Sequence, residues 1–325
     1  MDRSDPSRGV RRVAAASTIA TLLLIAMGGA VRATDSGLAC PDWPACHGMW
    51  IPPADLNLWL EHSHRLWAGV VALAIAGLLV LTARRRRADA LSFRLALLSA
   101  VLVIVQAGLG AAVVLLHLRA GLVTSHLGMS LVIVAALIVV AVRSRRVDAV
   151  HDSATDRAFA RRAGAVAALV FAQALLGGQA TGRGAAHVFN AFPIWLTSDT
   201  WTGHVREVLH VTHRIGGYLV AGVVIALALH ARRVGLSGWP RRLAHLAVAL
   251  VAIQVALGVA NVLTAASVTS AIGHLAVASW LWSALVLITA RGLVPTPPTN
   301  TPTRDDVEDH LDDRSARQPP EEVVV

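Results

Sequence analysis

Glu61, His64 and Arg65 in the first half of the chain are matched, 149 residues later, by His210, His213 and Arg214. Gln106 and His126 are likewise matched by Gln254 and His274 at an offset of 148. Four histidines thus recur in register, two per half. Paired imidazoles bind a transition-metal ion from opposite sides, and a carboxylate beside them can act as a base or stabilise developing positive charge. In the second half the position of Glu61 is taken by His210, so the two sets are chemically unequal. Inequality within a duplicated frame suggests that one site reacts while the other holds a cofactor.

These side chains must be positioned by membrane-spanning helices. The 325 residues are 55% hydrophobic and 15% charged, and the mean hydropathy is +0.59. Several apolar runs approach the roughly 20 residues that a spanning helix needs. The hydropathy predicts eight helices at 13–31, 60–83, 95–116, 121–142, 163–181, 206–231, 243–264 and 271–290. The first is read as a span, because it is long and lacks a small-residue cleavage pattern. Ionisable groups inside a bilayer are expensive, so a repeated set of them marks a functional site.

All 29 basic residues are arginines. With both termini inside, 23 lie in cytoplasmic segments, and only six (Arg32, Arg65, Arg119, Arg183, Arg206 and Arg214) lie in or near the other face. This asymmetry sets a multi-pass cell-membrane topology with both ends cytoplasmic. The net charge of +9 and the run Arg84–Arg87 therefore report topology and not nucleic-acid binding.

The outer loops, at about 32–59, 117–120, 182–205 and 265–270, alternate long and short. The predicted fold is all-α: two tandem, parallel four-helix bundles related by a pseudo-twofold axis along the membrane normal. Residues 1–12 form a cytoplasmic N-terminus, 13–146 the first bundle and 160–291 the second, while the proline-rich, acidic 292–325 reads as a disordered tail. The four histidines all fall in the first turns of even-numbered helices, at one depth near the outer face. Two helices could there grip a planar macrocycle edge-on, with imidazoles on both sides of its iron.

Within helix 2, Glu61 and Arg65 are four residues apart on one side, so an ion pair between them is the structural alternative to a chemical role for Glu61. Arg65 and Arg214 suit heme propionates, or simply the interface. Cys40 and Cys46 share the first outer loop, on the oxidising side, where a disulfide is expected. C-x-x-C-H for covalent heme is absent, and no zinc or di-iron carboxylate signature stands out. His47, His117, His187, His204, His230, His245 and His310 read as interfacial hydrogen-bonding residues. Trp43, Trp50, Trp59, Trp195 and Trp201 read as an aromatic belt.

Taken together, the E-x-x-H-R of Glu61, His64 and Arg65, the H-R of His213 and Arg214, His126, His274, the eight-helix duplication and the paired loop cysteines resemble the heme A synthase family. The resemblance covers about Val13 to Arg291. It implies an oxidoreductase that converts a ring methyl of heme O to a formyl group by successive hydroxylations, for assembly of heme-copper cytochrome oxidase. It implies that His64 and His126 bind the substrate heme O, that His213 and His274 hold a heme b cofactor, and that Glu61 takes part in the chemistry. The implied partners are the farnesylating heme O synthase upstream and oxidase assembly factors; self-association is compatible with the sequence but not specified by it. No role carries over to His62 or His210. A non-catalytic di-heme b-type electron carrier would also use paired histidines, but Glu61 in only one half favours the enzyme. A transporter would place its polar groups at the membrane midplane.

Overall fold

The computed structural model describes residues 6–144, 154–189 and 202–294. The acidic tail, Trp195 and Trp201 lie outside them. Eight helices, α1 (Pro6–Ala33), α2 (Leu56–Ala83), α3 (Ala90–Leu115), α4 (Ala120–Arg143), α5 (Ala154–Gly182), α6 (Val205–Arg233), α7 (Gly238–Leu263) and α8 (Val268–Leu293), make up most of these described residues. All eight are long and apolar enough to cross a membrane, and among the described residues there is no strand. The protein is a multi-pass membrane protein.

Each helix extends beyond its apolar run. At 24 to 29 residues and 1.5 Å per residue the helices are about 36–43 Å long, against a hydrocarbon layer of about 30 Å. The largest excess is in α5, which begins at Ala154, nine residues before the start of its apolar segment. Polar turns outside the hydrocarbon satisfy their backbone within the helix but leave no hydropathy signal. Caps fix several starts: the Asp55 carboxylate accepts the Asn57 and Leu58 N–H groups ahead of α2, and Asp89 accepts that of Ser92 ahead of α3. Trp43, Trp50 and Trp59 are exposed at the α2 entry, as a belt requires.

Within each half the helices pack in a closed ring, α1 on α2, α2 on α3, α3 on α4 and α4 on α1, and correspondingly for α5 to α8. The halves meet through α1 on α8, α4 on α5, and α4 on α8. Exchanging α1–α4 for α5–α8 reproduces this contact pattern, which is consistent with parallel bundles about an axis beside α4 and α8. The repeat reaches the backbone of the short turns. His117 and Leu118 (φ 56° and 55°) and, 148 residues on, Ala265 and Ala266 (φ 50° and 56°) are four non-glycine residues in the left-handed region.

The apolar core is concentrated toward the Arg84 face. One cluster joins Val10, Ala14, Ile75, Leu78, Ala96, Leu137 and Val140 in the first half. Another spans α5–α8 and reaches α1 and α4 through Leu22, Leu131 and Val134. Toward the opposite face, which bears the Cys40 loop, this dense packing stops. No residue of 63–70 in α2, 211–219 in α6, 271–278 in α8, 100–115 in α3 or 252–263 in α7 is fully buried. All the repeated histidines except His126 lie in these stretches.

Candidate heme site

His64 lies eight residues after the start of α2 and His213 eight after the start of α6, while His126 and His274 each lie six into α4 and α8. Rises of about 12 and 9 Å put the four imidazoles at nearly one depth below the Cys40 face. Each meets a glycine on the preceding helix. A Cβ on Gly28, Gly110, Gly177 or Gly258 would lie 3.2, 3.3, 2.8 or 3.2 Å from Cε1 of His64, His126, His213 or His274. The four notches keep the repeat, Gly28 to Gly177 at 149 residues and Gly110 to Gly258 at 148. Absence of a side chain lets the ring lie against the neighbouring helix.

In each ring Cε1 is the atom nearest the glycine. Nδ1 of His64, His126 and His274 is buried without a hydrogen-bond partner. That of His213 has the Gln173 amide at 3.0 Å. The rings of His213 and His274 stand with centroids 6.3 Å apart and planes at 71°. Two metal–imidazole bonds of about 2 Å plus half a ring on each side give roughly 6 Å, so both rings fit one iron. Gln106 holds the second ligand helix in place, donating to the His126 carbonyl at 2.8 Å and to Ser130 Oγ at 2.6 Å.

These features suit a heme. Its ring nitrogens fill four iron positions, so the protein need supply only two imidazoles, and an apolar, loosely packed zone around them accepts the macrocycle. Among the described residues no three His, Cys, Asp or Glu side chains converge, so the donor set does not fit a bare zinc or di-iron centre. A separate groove of about 430 Å³ runs over α4 between α3 and α5, past Leu102, Met129, Val132 and Leu175. It includes none of the four imidazoles.

Glu61 is buried at the entry of α2, 3% exposed, and clasps the loop above. Its Oε2 accepts the Cys40 N–H at 2.8 Å, and its Oε1 pairs with Arg65. Arg65 donates from Nη1 to the carbonyls of Asp42 and Ala45, both at 2.6 Å, and from Nη2 to that of Cys40 at 2.9 Å. Four of its five N–H donors are thereby engaged. Cys40 and Cys46 form a disulfide in this loop. The Gly48 N–H, together with that of His47, holds the Asp42 carboxyl below its ordinary range against the opposing effect of desolvation. His62, nearly inaccessible, faces the Trp50 carbonyl at 2.8 Å and closes the loop's far end.

The second half repeats this bracing with other residues. Arg214 donates to the Phe189 carbonyl at 2.7 Å; Phe189 stands 149 residues after Cys40, so the contact is the counterpart of Arg65 to Cys40. His210 Nδ1 lies 2.5 Å from the Ala185 carbonyl, at a single 3-10 turn, Ala185–His187. Glu207 caps α6, accepting the Thr202 and Gly203 N–H groups at 2.9 Å each. Sequence reasoning singled out the four repeated histidines, which the structure brings together in pairs, but not the glycine notches, which the same register carries, nor Gln173, which no register carries.

Residues 11–286 match the cytochrome oxidase assembly protein family. The heme A synthase of Shewanella oneidensis is 30% identical over 311 residues, covering 82% of this chain and 92% of that one. That of Bacillus licheniformis is 26% identical over 292 residues, covering 85% and 94%. That of Symbiobacterium thermophilum is 28% identical over 287 residues, covering 86% and 94%. On a match that spans all eight helices and both histidine pairs, this chain belongs to the cytochrome oxidase assembly protein family.

Proposed function

We propose that this protein is a heme A synthase that oxidises a ring methyl of heme O to a formyl group by successive hydroxylations. The first half takes heme O between His64 and His126, and the second holds heme b between His213 and His274. The observation that carries the reading is the repeated imidazole pair, each ring seated on a glycine and, in the second half, spaced for one iron. Bound heme b supplies the electron-transfer chemistry of the second site. The arginine asymmetry supports cytoplasmic termini and heme sites near the outer face.

The chain's own contribution lies in Glu61. Its two oxygens each have one protein donor, which orients the carboxylate while a further lone pair on each remains for a water or a proton. One helical turn from His64, it would stabilise positive charge on, or take a proton from, a substrate heme held there. Arg65 and the disulfide loop fix the carboxylate and cover the site from above.

The test is Glu61→Gln against His210→Gln, the matched position. Heme is extracted from membranes supplied with heme O and weighed by mass spectrometry. Glu61→Gln should still bind heme O but lower heme A by about a hundredfold or more, leaving heme O or a hydroxylated form. His210→Gln should leave heme A nearly unchanged. Equal loss in both variants overturns the assignment of chemistry to the first half.

A further inference from the structure

The two ligand histidines at matched positions, His64 and His213, differ in what lies behind the ring. Behind His213 is Gln173 of α5, whose amide nitrogen is 3.0 Å from Nδ1 and 2.6 Å from the His213 carbonyl. Room for this amide comes from Gly216, where any Cβ would collide with Gln173 Oε1. Behind His64 the corresponding residues, 149 positions earlier, are Leu24 and Trp67. Leu24 offers no polar atom, and the Trp67 indole N–H is directed to the Ala20 carbonyl at 3.0 Å. Nδ1 of His64 has no partner. Two positions have thus changed together between the halves, an amide with a glycine in one and a leucine with a tryptophan in the other. The partner histidines have no such amide behind them: Nδ1 of both His126 and His274 is buried without a hydrogen-bond partner, although the Gln254 backbone lies close to the His274 ring.

An imidazole that binds iron through Nε2 carries its proton on Nδ1, and that proton needs an acceptor if the ring is to stay oriented and electron-rich. Presenting Oε1 to that proton requires the Gln173 amide to turn over and give up its bond to the His213 carbonyl, a rearrangement that the Nδ1–H···Oε1 bond offsets once iron fixes the proton on Nδ1. A buried Nδ1–H with nothing to receive it weakens the bound state. We propose that the Gln173–Gly216 pair is the positioning device that makes the second-half heme a resident cofactor. Its absence behind His64 leaves the first-half heme free to exchange, as a substrate that leaves as product must. This inference rests on the functional reading above and assigns Gln173 a role through His213, without contact to the reacting atoms.

The test uses the full-length holoprotein in detergent. Heme loss is followed by transfer to excess apomyoglobin, and the reduction potential of the retained heme is read by spectroelectrochemistry. Gln173→Leu, which copies Leu24, should speed loss of the second-half heme by about 10- to 100-fold, the range for removing an outer-shell partner of a ligand. It should also raise the potential, because the ring becomes a weaker donor. Gln173→Glu, which supplies a stronger acceptor, should keep the slow loss and lower the potential below that of wild type. A purely structural role would not move the potential in opposite directions in the two variants. If Gln173→Leu leaves both the loss rate and the potential as in wild type, or if both variants shift the potential the same way, the inference falls. His213→Ala is the control: if the retained heme survives that change, the functional reading itself is wrong, whatever Gln173 does.

Discussion

Helices α2 and α6 enter the membrane beneath the same arginine but under different loops. Arg65 and Arg214 each reach a loop carbonyl at positions 149 residues apart. Above α2 the loop is closed by a disulfide and gripped by Glu61, whereas above α6 the described residues comprise a 3-10 turn facing His210 and the Thr202–Gly203 entry held by the buried Glu207. The frame that sets the height and tilt of the ligand histidines is common to both halves. The acid three residues ahead of the repeated histidine and the covalent brace belong to one. Positioning and chemistry are therefore separable here, and a difference between the halves points to function more sharply than any single residue does.

The strongest way to break the comparison is to fill the glycine notches. A Cβ at Gly177 would stand 2.8 Å from His213 Cε1, closer than real contacts allow, while those at Gly28 and Gly110 would stand at 3.2 and 3.3 Å from their rings. Gly177→Ala should displace His213 and abolish low-spin heme in the purified protein, Gly28→Ala should lower substrate occupancy less severely, and Gly110→Ala least. Gly108→Ala, with no atom within 4 Å of the new Cβ, is the control. Alanine otherwise favours a helix by about 0.5–1 kcal/mol over glycine, so the heme-free protein should melt higher as heme binding falls. Absorption spectra and thermal melts together check this, and equal heme content in all four variants would refute the notch.

A smaller effect should come from the covalent brace found in only one half. Replacing Cys40 and Cys46 together by Ser should lower stability by about 2–4 kcal/mol, the usual range for a disulfide, while turnover per folded, heme-loaded molecule is retained. Collapse of turnover at normal heme content would mean that the bridge takes part in the redox chemistry. Melting temperature and heme A yield per folded molecule separate the two.

The smallest concerns the opposite face. Asp89 caps α3 and pairs with Arg143 at 2.7 Å. At the matched positions in the second half Ser237 precedes α7, and Arg291 stacks 4.4 Å over the Trp239 ring. Desolvation raises the Asp89 carboxyl, but the hydrogen bonds of Arg143 and Ser92 outweigh it and hold the group below its ordinary 3.8. A carboxyl so depressed contributes fully above its unfolded value and loses that contribution as pH falls through the lower folded one. Asp89→Ser should therefore destabilise by on the order of 1 kcal/mol near neutral pH, with the gap to wild type closing only below about pH 4. Melts between pH 3 and 7 would show it, and a gap that persists at the acid end would exclude the ion pair as its source.

The helices were legible because twenty apolar residues in a row have few other uses, and the repeated histidines because duplication preserved their spacing. The helix ends were not: α1 begins at Pro6 and α5 at Ala154, both well ahead of the apolar run, since arginine-rich turns outside hydrocarbon are helical for reasons of backbone pairing alone. The grip of Glu61 on the loop was half legible. Its ion pair with Arg65 follows from a four-residue spacing, but its bond to the Cys40 N–H joins a helix to an irregular loop 21 residues away, and no periodicity encodes that. Gln173 was missed for the converse reason: a residue important because its counterpart differs is invisible to a search for what repeats.

The glycine notch also has a use outside this molecule. A histidine on one helix and a glycine at the same height on its antiparallel neighbour form a two-residue part, and two such parts facing each other make a bis-imidazole clamp. Because the backbone, and not a packed side chain, sets the standoff of each ring, the part does not depend on the identity of the surrounding apolar residues. A designer of four-helix bundles could install it by four substitutions at chosen heights and shift a cofactor along the bundle by moving them one turn, about 5.4 Å, at a time.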